Sequence, residues 1–342
     1  MEKEIFVERV FGVEEINVLL RGFCTLRQMK EAKSVFRKMF YRFEPNTQTF
    51  NILLLGFKES GDITAVDMFY HEMIRRGFKP NAVTYNIRID ACCKKARYDD
   101  AFRIFEEMEK LGCSPTLEII TTLIHGAGIV RNVFRAREMF DEIAVRNLCP
   151  DIGAYNALMA SFVKCGDVKS AMETMDEMEE KGIGHDNVTY HTTFLGLKRS
   201  QGIEGVLKVY QKIVDKSFIP KSCTVVMLMK YFCESRRPDL GLDLWKYLVE
   251  RGCCPHEHAV TLLVTCLCAR GQGDAAYECS KQVLERGRHL NEGAFSVLER
   301  FLVKAGETKK LAKLKQMIKR LETVLPSSKG NADGISTPAS VH

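Results

Sequence analysis

Residues 82–116, AVTYNIRIDACCKKARYDDAFRIFEEMEKLGCSPT, decide the fold. Four apolar residues recur at the spacing i, i+3, i+4 and i+7, which marks one face of an α-helix; they are Ala101, Ile104, Phe105 and Met108. Gly112 ends this helix, and Pro115 prevents it from continuing. A first helix from about Thr84 to Lys95 precedes it. The stretch therefore predicts a helical hairpin closed by a Gly-x-x-Pro turn.

The same pattern recurs along the chain with a period of 35 residues. Six of the nine prolines lie on one grid, namely Pro45, Pro80, Pro115, Pro150, Pro220 and Pro255. An apolar position of the second helix recurs as Met39, Met73, Met108, Ile143, Met178, Ile213, Leu248, Val283 and Ile318. Because one hairpin cannot bury both of its apolar faces, neighbouring hairpins must stack. We therefore predict an all-α, right-handed α-solenoid (superhelix) of about nine helix-turn-helix repeats.

The period divides the chain into nine predicted units. They are residues 13–46, 47–81, 82–116, 117–151, 152–186, 187–221, 222–256, 257–291 and 292–321. Residues 1–12 are interpreted as an amino-terminal extension or the remnant of a preceding repeat. Residues 322–342 contain Ser, Gly and Pro without apolar periodicity, and we interpret them as a disordered polar tail.

Composition narrows the class of protein. The formal charge of +6 suits a nucleic-acid partner without demanding one. No run of about 18 apolar residues is present, so we expect no membrane span. Thirteen cysteines without a secretory signal indicate reduced thiols, and four of them share the twelfth position of their units, where we interpret them as packing residues: Cys24, Cys93, Cys233 and Cys268. The start Met1-Glu2-Lys3-Glu4 is too acidic for an organellar transit peptide.

Specific residues within the repeats match a known family pattern. In the third unit they are Val83-Thr84-Tyr85-Asn86, Asp90, Cys93-Lys94, Asp99, Ala101, Ile104-Phe105-Glu106-Glu107-Met108 and Gly112-x-x-Pro115. Similar matches recur at Thr49-Phe50-Asn51, Ala154-Tyr155-Asn156 and Val188-Thr189-Tyr190. The pattern resembles the pentatricopeptide repeat family, in its plant organellar P-class form. This resemblance implies single-stranded RNA binding in mitochondria or chloroplasts, with about one base per repeat.

In that family the fifth and last residues of each unit address the base. Carried over, the base-reading pairs are Asn17/Asn46, Asn51/Asn81, Asn86/Thr116, Thr121/Asp151, Asn156/Asp186 and Thr261/Asn291. The remaining pairs, His191/Lys221 and Val226/His256, fit no pairing rule. The family's rules then imply an RNA reading C-C-pyrimidine-G-U-n-n-A, with the amino-terminal unit at the 5′ end. Helix capping and turn formation explain the same residues at any single unit, so both interpretations stay open.

Two further positions carry implied roles. The second residue of each unit sandwiches the base in the family, and only Val83 and Val188 fit that role here. Glu14 and Glu118 hold this position in two other units and would place a carboxylate near an anionic strand. The thirteenth position carries candidate phosphate contacts, which are Lys94, Lys164, Arg199 and Lys304. A lysine favoured by the helix dipole is the alternative interpretation there.

We find no catalytic constellation in the sequence. The segment Cys253–His258 is dense in metal-capable residues, but it is a single loop, whereas structural zinc usually draws ligands from two segments. We therefore expect no enzyme, no metal and no cofactor. We expect a monomer that binds single-stranded RNA in mitochondria or, alternatively, in chloroplasts. A protein–protein interaction scaffold in an organellar RNA-processing or ribosomal assembly is the competing hypothesis.

Overall fold

A computed structural model describes residues 12–42, 44–200 and 202–324 of the chain. These residues form eighteen α-helices and no strand, which confirms the predicted all-α helical repeat fold. The right-handed twist of the predicted superhelix stays a prediction. The predicted extension up to residue 11 and the predicted tail from residue 325 lie outside the described residues.

The helices come in pairs that follow the sequence period. Their bounds are α1 (Val13–Thr25), α2 (Met29–Met39), α3 (Thr47–Ser60), α4 (Ile63–Arg75), α5 (Ala82–Lys94), α6 (Tyr98–Lys110), α7 (Leu117–Ile129), α8 (Val133–Val145), α9 (Ile152–Cys165), α10 (Val168–Glu180), α11 (Asn187–Arg199), α12 (Ile203–Asp215), α13 (Ser222–Glu234), α14 (Pro238–Glu250), α15 (Glu257–Ala269), α16 (Gly273–Glu285), α17 (Glu292–Lys304) and α18 (Thr308–Val324). The last helix extends to Val324, so residues 322–324 are helical and not part of the disordered tail that the sequence predicts.

Left-handed residues end the second helices. Gly112 has φ +76°, and it closes α6 by donating to the carbonyl of Glu109 at 2.9 Å. The next residue, Cys113, donates to the carbonyl of Met108 at 3.0 Å, which completes a Schellman turn. Asn147 takes the same left-handed conformation at φ +56° in the next unit. The Gly-x-x-Pro pattern therefore recurs because the backbone needs a residue that tolerates the left-handed conformation after the second helix.

The chain forms two compact units, one ending at Gly202 and the other beginning at Ile203. In the first unit the first helices of successive repeats pack side by side, from α1 through α3, α5, α7 and α9 to α11. Their buried faces carry large side chains, including Tyr85, Tyr155 and Tyr190. In the second unit α13, α15 and α17 pack in the same manner. Stacking of first helices is thus the common packing mode of both units.

Four stacked pairs of first helices in the first unit meet where one residue is a glycine. In these pairs the twelfth residue of one repeat contacts the tenth residue of the next. A Cβ atom added to Gly126 would overlap the Cys93 Sγ, and one added to Gly56 would lie 2.5 Å from the Cys24 Sγ. In the following pair the glycine holds the twelfth position, because Gly128 contacts Ser161, the tenth residue of the next repeat. Close approach of the two backbones therefore requires one small residue at each contact.

The other two cysteines at the twelfth position also lie against the packed core. Cys268 is buried, and the half-buried Cys233 donates its thiol to the carbonyl of Leu262 at 3.6 Å. Burial raises the pKa of Cys93 to about 12 and that of Cys268 to about 11. These thiols are therefore protonated and unreactive at neutral pH. Among the described residues no helix combines the length and apolarity that crossing a bilayer requires.

We predict that Gly126→Ala lowers the free energy of unfolding by about 1–3 kcal/mol, because its methyl group would overlap the Cys93 side chain. Gly22→Ala is the matched control, since Gly22 holds the same tenth position with nothing within 4 Å of an added Cβ. That variant should be neutral or slightly stabilising, because Ala favours helix over Gly. Urea denaturation monitored by circular dichroism measures both. The steric interpretation fails if Cys93→Gly does not restore stability to Gly126→Ala.

Candidate functional site

The last residue of most repeats is the N-cap of the next first helix. The cap oxygen accepts the backbone N–H three residues further on in five cases, which are Asn46 with Thr49, Asn81 with Thr84, Thr116 with Ile119, Asp151 with Ala154 and Asp186 with Thr189. His256 and Asn291 accept from the backbone two residues on. The capping interpretation is therefore correct, and any second role of these residues must use their remaining atoms.

Asn51 and Asn81 form one hydrogen-bonded group with Thr84. The Asn51 amide nitrogen donates to Asn81 Oδ1 at 3.2 Å, and the Thr84 hydroxyl donates to Asn51 Oδ1 at 2.8 Å. Asn81 Oδ1 also accepts the Thr84 backbone N–H at 3.1 Å. Within the described residues the Asn81 amide nitrogen donates no hydrogen bond, and the side chain is exposed. The group therefore presents an N–H donor on its open side.

Asn156, Asp186 and Thr189 repeat this arrangement three units later. The Asn156 amide nitrogen donates to Asp186 Oδ1 at 3.1 Å, and the Thr189 hydroxyl donates to Asn156 Oδ1 at 2.8 Å. Asp186 Oδ1 accepts the Thr189 backbone N–H at 2.8 Å. None of these bonds uses Asp186 Oδ2. This second group therefore keeps an oxygen acceptor where the first has a nitrogen donor. We refer to the two groups, Asn51–Asn81–Thr84 and Asn156–Asp186–Thr189, as the closed groups.

The charge of Asp186 follows from its surroundings. Burial opposes the ionised carboxylate, but hydrogen bonds from the Thr189 backbone and the Asn156 amide outweigh it. The net effect holds the pKa of Asp186 below its ordinary value. The side chain is consequently an acceptor-only carboxylate at neutral pH.

Asn86 bonds to the following repeat and not to its predicted partner Thr116. Its amide nitrogen donates to Glu118 Oε1 at 2.8 Å, and its oxygen accepts the Thr122 hydroxyl at 2.9 Å. Glu118 is exposed at the second position of its repeat. A carboxylate thus occupies the polar end of Asn86, at the place where the family pattern has an apolar residue.

Thr121 and Asp151 line a pocket of about 910 Å³ on the first-helix side of the repeats. Asn156, Asp186 and Val188 line the same pocket. Asp151 Oδ1 accepts the Ala154 backbone N–H at 2.8 Å, and within the described range no hydrogen bond joins Asp151 to Thr121. The pocket therefore holds two predicted pairs, both with carboxylates.

His125 also lines this pocket. Desolvation and the nearby Lys164 hold the pKa of His125 below its ordinary value, so the imidazole is neutral at pH 7. It can therefore both donate and accept a hydrogen bond.

In the first predicted pair, Asn17 and Asn46 are not hydrogen-bonded to each other. Asn17 is 1% exposed, and neither its Oδ1 nor its Nδ2 has a hydrogen-bond partner among the described residues. Asn46 accepts the backbone N–H and hydroxyl of Thr49 without contacting Asn17. Its repeat has 34 residues, whereas the seven that follow it have 35. Asn17, Asn46 and Thr49 are thus the same residue types as Asn51, Asn81 and Thr84, but they do not form the same hydrogen-bonded group.

The last predicted pair, Thr261 and Asn291, is also not joined. The Thr261 hydroxyl donates to the carbonyl of Glu257 at 3.0 Å, within the same helix. The Asn291 amide nitrogen donates to Glu257 Oε1 at 3.0 Å. Glu257 therefore occupies the donor end of Asn291.

Both valines at the second position lie beside closed groups. Val83 is 54% exposed and Val188 is 53% exposed. Val83 lines a pocket of about 540 Å³ together with Asn51 and Asn81. Val188 lines the larger pocket with Asn156 and Asp186. Each closed group therefore has an exposed apolar side chain next to it.

Lys94 is neutralised within the protein. Its ammonium lies 3.2 Å from Asp90 and 3.4 Å from Glu59, and Lys58 pairs with the same two carboxylates. Burial opposes the charge of Lys94, but these carboxylates outweigh it and raise its pKa. The ammonium therefore already has anionic partners.

The other candidate phosphate contacts are in a different state. Within the described part of the chain, Lys164, Arg199 and Lys304 make no ion pair. Burial lowers the pKa of Lys164, as expected for an amine without a carboxylate partner. Arg199 and Lys304 are exposed. These three side chains have positive charge available for an external anion.

Sequence reasoning missed the hydroxyls that close the groups. Thr84 and Thr189 are fully buried and bridge two repeats. The signal was present, because each stands three residues after an Asn or Asp cap, in the sequences AVTYN and NVTYH. Glu118 departs from the family pattern at the second position of its repeat, yet its contact with Asn86 could not be inferred without the stacking of the repeats.

Across residues 12–42, 44–200 and 202–324, no group of three or more His, Cys, Asp or Glu side chains is arranged to hold a metal ion. Cys253 and Cys254 are half-buried free thiols, while His256 caps its helix.

We predict that Thr84→Val lowers the free energy of unfolding by about 1–3 kcal/mol, because it leaves the buried Asn51 Oδ1 without its donor. Thr49→Val is the matched control. Thr49 is equally buried and caps in the same way, but it does not contact Asn17. Its loss should be smaller by about 1 kcal/mol in urea denaturation. Equal losses would show that the inter-repeat hydrogen bond contributes nothing.

Comparison with known proteins identifies the repeat. The model of the PPR repeat family matches residues 15–59, 45–94, 81–129 and 150–199. A pentatricopeptide repeat-containing protein of Arabidopsis thaliana is 55% identical over 243 residues, which is 70% of this chain and 49% of that protein. The mitochondrial 15S rRNA processing factor CCM1 of Yarrowia lipolytica is 26% identical over 178 residues, covering 50% of this chain and 23% of that protein. The chain thus spans at most about half the length of these relatives.

The fold has solved counterparts. The crystal structure of the pentatricopeptide repeat protein PPR10, in complex with an 18-nt psaJ RNA element, superimposes with a TM-score of 0.58 at 18% identity. The match covers 91% of this chain and 45% of that one. The repeat matches, the 55% identity and the stacked helical hairpins together show that this chain belongs to the pentatricopeptide repeat (PPR) family.

Proposed function

We propose that this chain binds single-stranded RNA along its first helices and acts in organellar RNA metabolism, as a P-class member of its family. The observation that carries the proposal is the pair of closed groups, Asn51–Asn81–Thr84 and Asn156–Asp186–Thr189. Each holds two polar side chains in one orientation before any ligand arrives. Preorganisation of this kind lowers the entropic cost of binding.

The two groups differ in the base that they fit. The open N–H of Asn81 complements the O2 and N3 acceptors of cytosine, and the open oxygen of Asp186 complements the N3–H donor of uracil. Val83 and Val188 present an apolar surface to the face of a base at each group. In this proposal the second repeat reads C and the fifth reads U.

The other pairs extend the proposed target. Asp151 accepts the N1–H and N2–H of guanine beside Thr121, and Asn86/Thr116 accommodates a pyrimidine. With Asn17/Asn46 reading C and Thr261/Asn291 reading A, the proposed RNA is C-C-pyrimidine-G-U-n-n-A. The closed geometry supports the second and fifth positions most directly.

Phosphate contacts in this proposal come from Lys164 and Arg199 in the first unit and from Lys304 in the second. Lys94 contributes less than these, because Asp90 and Glu59 already neutralise it. The proposed form is a monomer without catalytic activity that holds a short RNA strand. The proposed location is mitochondrial, with the chloroplast as the alternative; an organellar location is supported by one relative with a mitochondrial name and one with a chloroplastic name.

A protein-binding scaffold is the second candidate function. Large apolar side chains on the second helices favour it, since Phe134 and Val145 of α8 are 78% and 74% exposed. The two side chains share one face of α8, about three turns apart, and exposed apolar side chains on one face can contribute to a protein interface.

A gel-shift panel separates the two functions. It compares the RNA CCUGUNNA, a scrambled RNA of equal composition and the matching single-stranded DNA. We expect the first RNA to bind most tightly and all affinities to fall with rising salt. Absence of RNA binding at low salt would exclude the RNA function and favour the scaffold.

We predict that Asp186→Asn changes the preference at the fifth base from U toward C by about tenfold, because a donor replaces the open acceptor. The Asn oxygen can keep the bonds from Asn156 and Thr189, so folding should be retained. In the wild type the U preference should persist from pH 7 to pH 5, since the pKa of Asp186 lies below its ordinary value. It is lost only as the pH falls through that pKa.

Fluorescence anisotropy with RNAs that differ only at the fifth base measures this change. Asn81→Asp is the matched comparison, because it exchanges the open donor for an acceptor at the second base and should change the preference at that base only. Base reading by Asp186 is excluded if Asp186→Asn weakens binding equally for every fifth base.

We predict that Lys164→Gln reduces the slope of log K against log salt by about 0.7, the value for one phosphate contact on a single strand. Lys94→Gln is the matched control at the same repeat position, and it should change the slope little because Lys94 already pairs with Asp90 and Glu59. The slopes are measured by anisotropy across a salt series. An equal change in both variants would contradict the assignment of the phosphate path.

A further inference from the structure

Positive charge is distributed unevenly between the two compact units. Residues 12–202 contain 26 Lys and Arg and 26 Asp and Glu, so their formal charge is zero. Residues 203–324 contain 21 basic and 14 acidic residues, so their formal charge is +7. The basic excess of the chain therefore lies in the second unit.

Much of this excess lies on one helix. In its 17 residues, α18 carries six basic residues and one acidic residue. Lys310 pairs with Asp274 and Glu307, and Lys315 lies 2.6 Å from Glu299.

Three further lysines are exposed and make no ion pair with any residue that the structure describes, namely Lys309, Lys313 and Lys319. Lys309 and Lys313 are one turn apart and lie on the side of the helix turned away from the fully buried Leu314, about 100–140° around the axis from it. Like charges at this spacing destabilise a helix. The surface therefore carries a cost that an external anion would relieve.

The apolar side of α18 is turned toward the protein. Leu314 is buried, and α18 packs against α16 and α17. The remaining large apolar side chains through residue 321 are half-buried, so none is exposed. A helix that inserts into a bilayer surface needs a free apolar face. The exposed face is therefore suited to the phosphates of a nucleic acid.

We propose that Lys309, Lys313 and Lys319 form a surface that binds RNA phosphates without selecting sequence. This inference rests on the proposed RNA-binding function and deepens it. The repeat with the pair Val226/His256, in the same unit, lacks the amide and carboxylate residues that read bases in the first unit. The first unit thus supplies most of the base selection, and α18 supplies affinity through the backbone of the strand.

The test uses the full chain carrying Lys309→Gln, Lys313→Gln and Lys319→Gln together. Gln is a good helix former and these side chains are exposed, so the fold should persist, as circular dichroism can verify. Anisotropy across a salt series should show the slope of log K against log salt reduced by about 2, from about 0.7 per phosphate. Affinity for the proposed and scrambled RNAs should fall by the same factor, about tenfold or more at low salt, with their ratio unchanged.

A matched control removes the same charge from α2, with Lys30→Gln, Arg37→Gln and Lys38→Gln, since these side chains are also exposed and make no ion pair with a described residue. It should change the slope much less, because charges far from the strand are screened. An equal change in the control would overturn the proposal, since net charge alone would then explain the effect. An unchanged slope in the α18 variant would also overturn it.

Two outcomes distinguish this inference from the proposed function. If the wild type binds no RNA, the proposed function fails and this inference fails with it. If RNA binding and base preference are normal but the α18 variant keeps the wild-type slope, only this inference fails.

Sedimentation with phosphatidylserine vesicles tests whether the surface binds a membrane instead. Loss of vesicle binding in the α18 variant with unchanged RNA binding would assign the surface to a membrane.

Discussion

The stacking of one repeat on the next is the constraint on which the rest of the molecule depends. A single hairpin leaves an apolar face uncovered on each helix, and only the neighbouring hairpin can bury it. The first helices approach closely because a small residue lies at each contact, as Gly126 does against Cys93. That approach also brings the fifth residue of one repeat within hydrogen-bonding distance of the cap of the next helix.

The closed groups show how packing produces a candidate binding site. Asn81 caps α5 with its oxygen, and the same oxygen accepts from Asn51 of the previous repeat. Thr84, buried at the interface, completes the link. Stability and orientation thus come from one set of hydrogen bonds, which leaves a single atom of the cap open. Exchanging Asn for Asp at the cap changes that atom from donor to acceptor and leaves the scaffold in place.

The two units differ in how far their charges are balanced within the protein. The first unit balances its charges and pairs many of them internally, as the cluster around Lys94 illustrates. The second unit keeps an excess that its own carboxylates do not neutralise, most visibly on α18. A strand held by both would meet selective contacts in one unit and sequence-independent attraction in the other.

The sequence by itself determined the helical hairpin, its period and its stacking, because apolar spacing and the Gly-x-x-Pro turn are local properties read along the chain. It also identified the candidate pairs, such as Asn156 with Asp186. Only the tertiary structure decided which pairs close. Asn17 has the same residue types around it and has no hydrogen-bond partner among the described residues, while Asn86 bonds to Glu118. The physical reason is that a hydrogen bond between residues 30 positions apart depends on how closely two repeats approach, and distances of a few tenths of an ångström are not encoded in residue type.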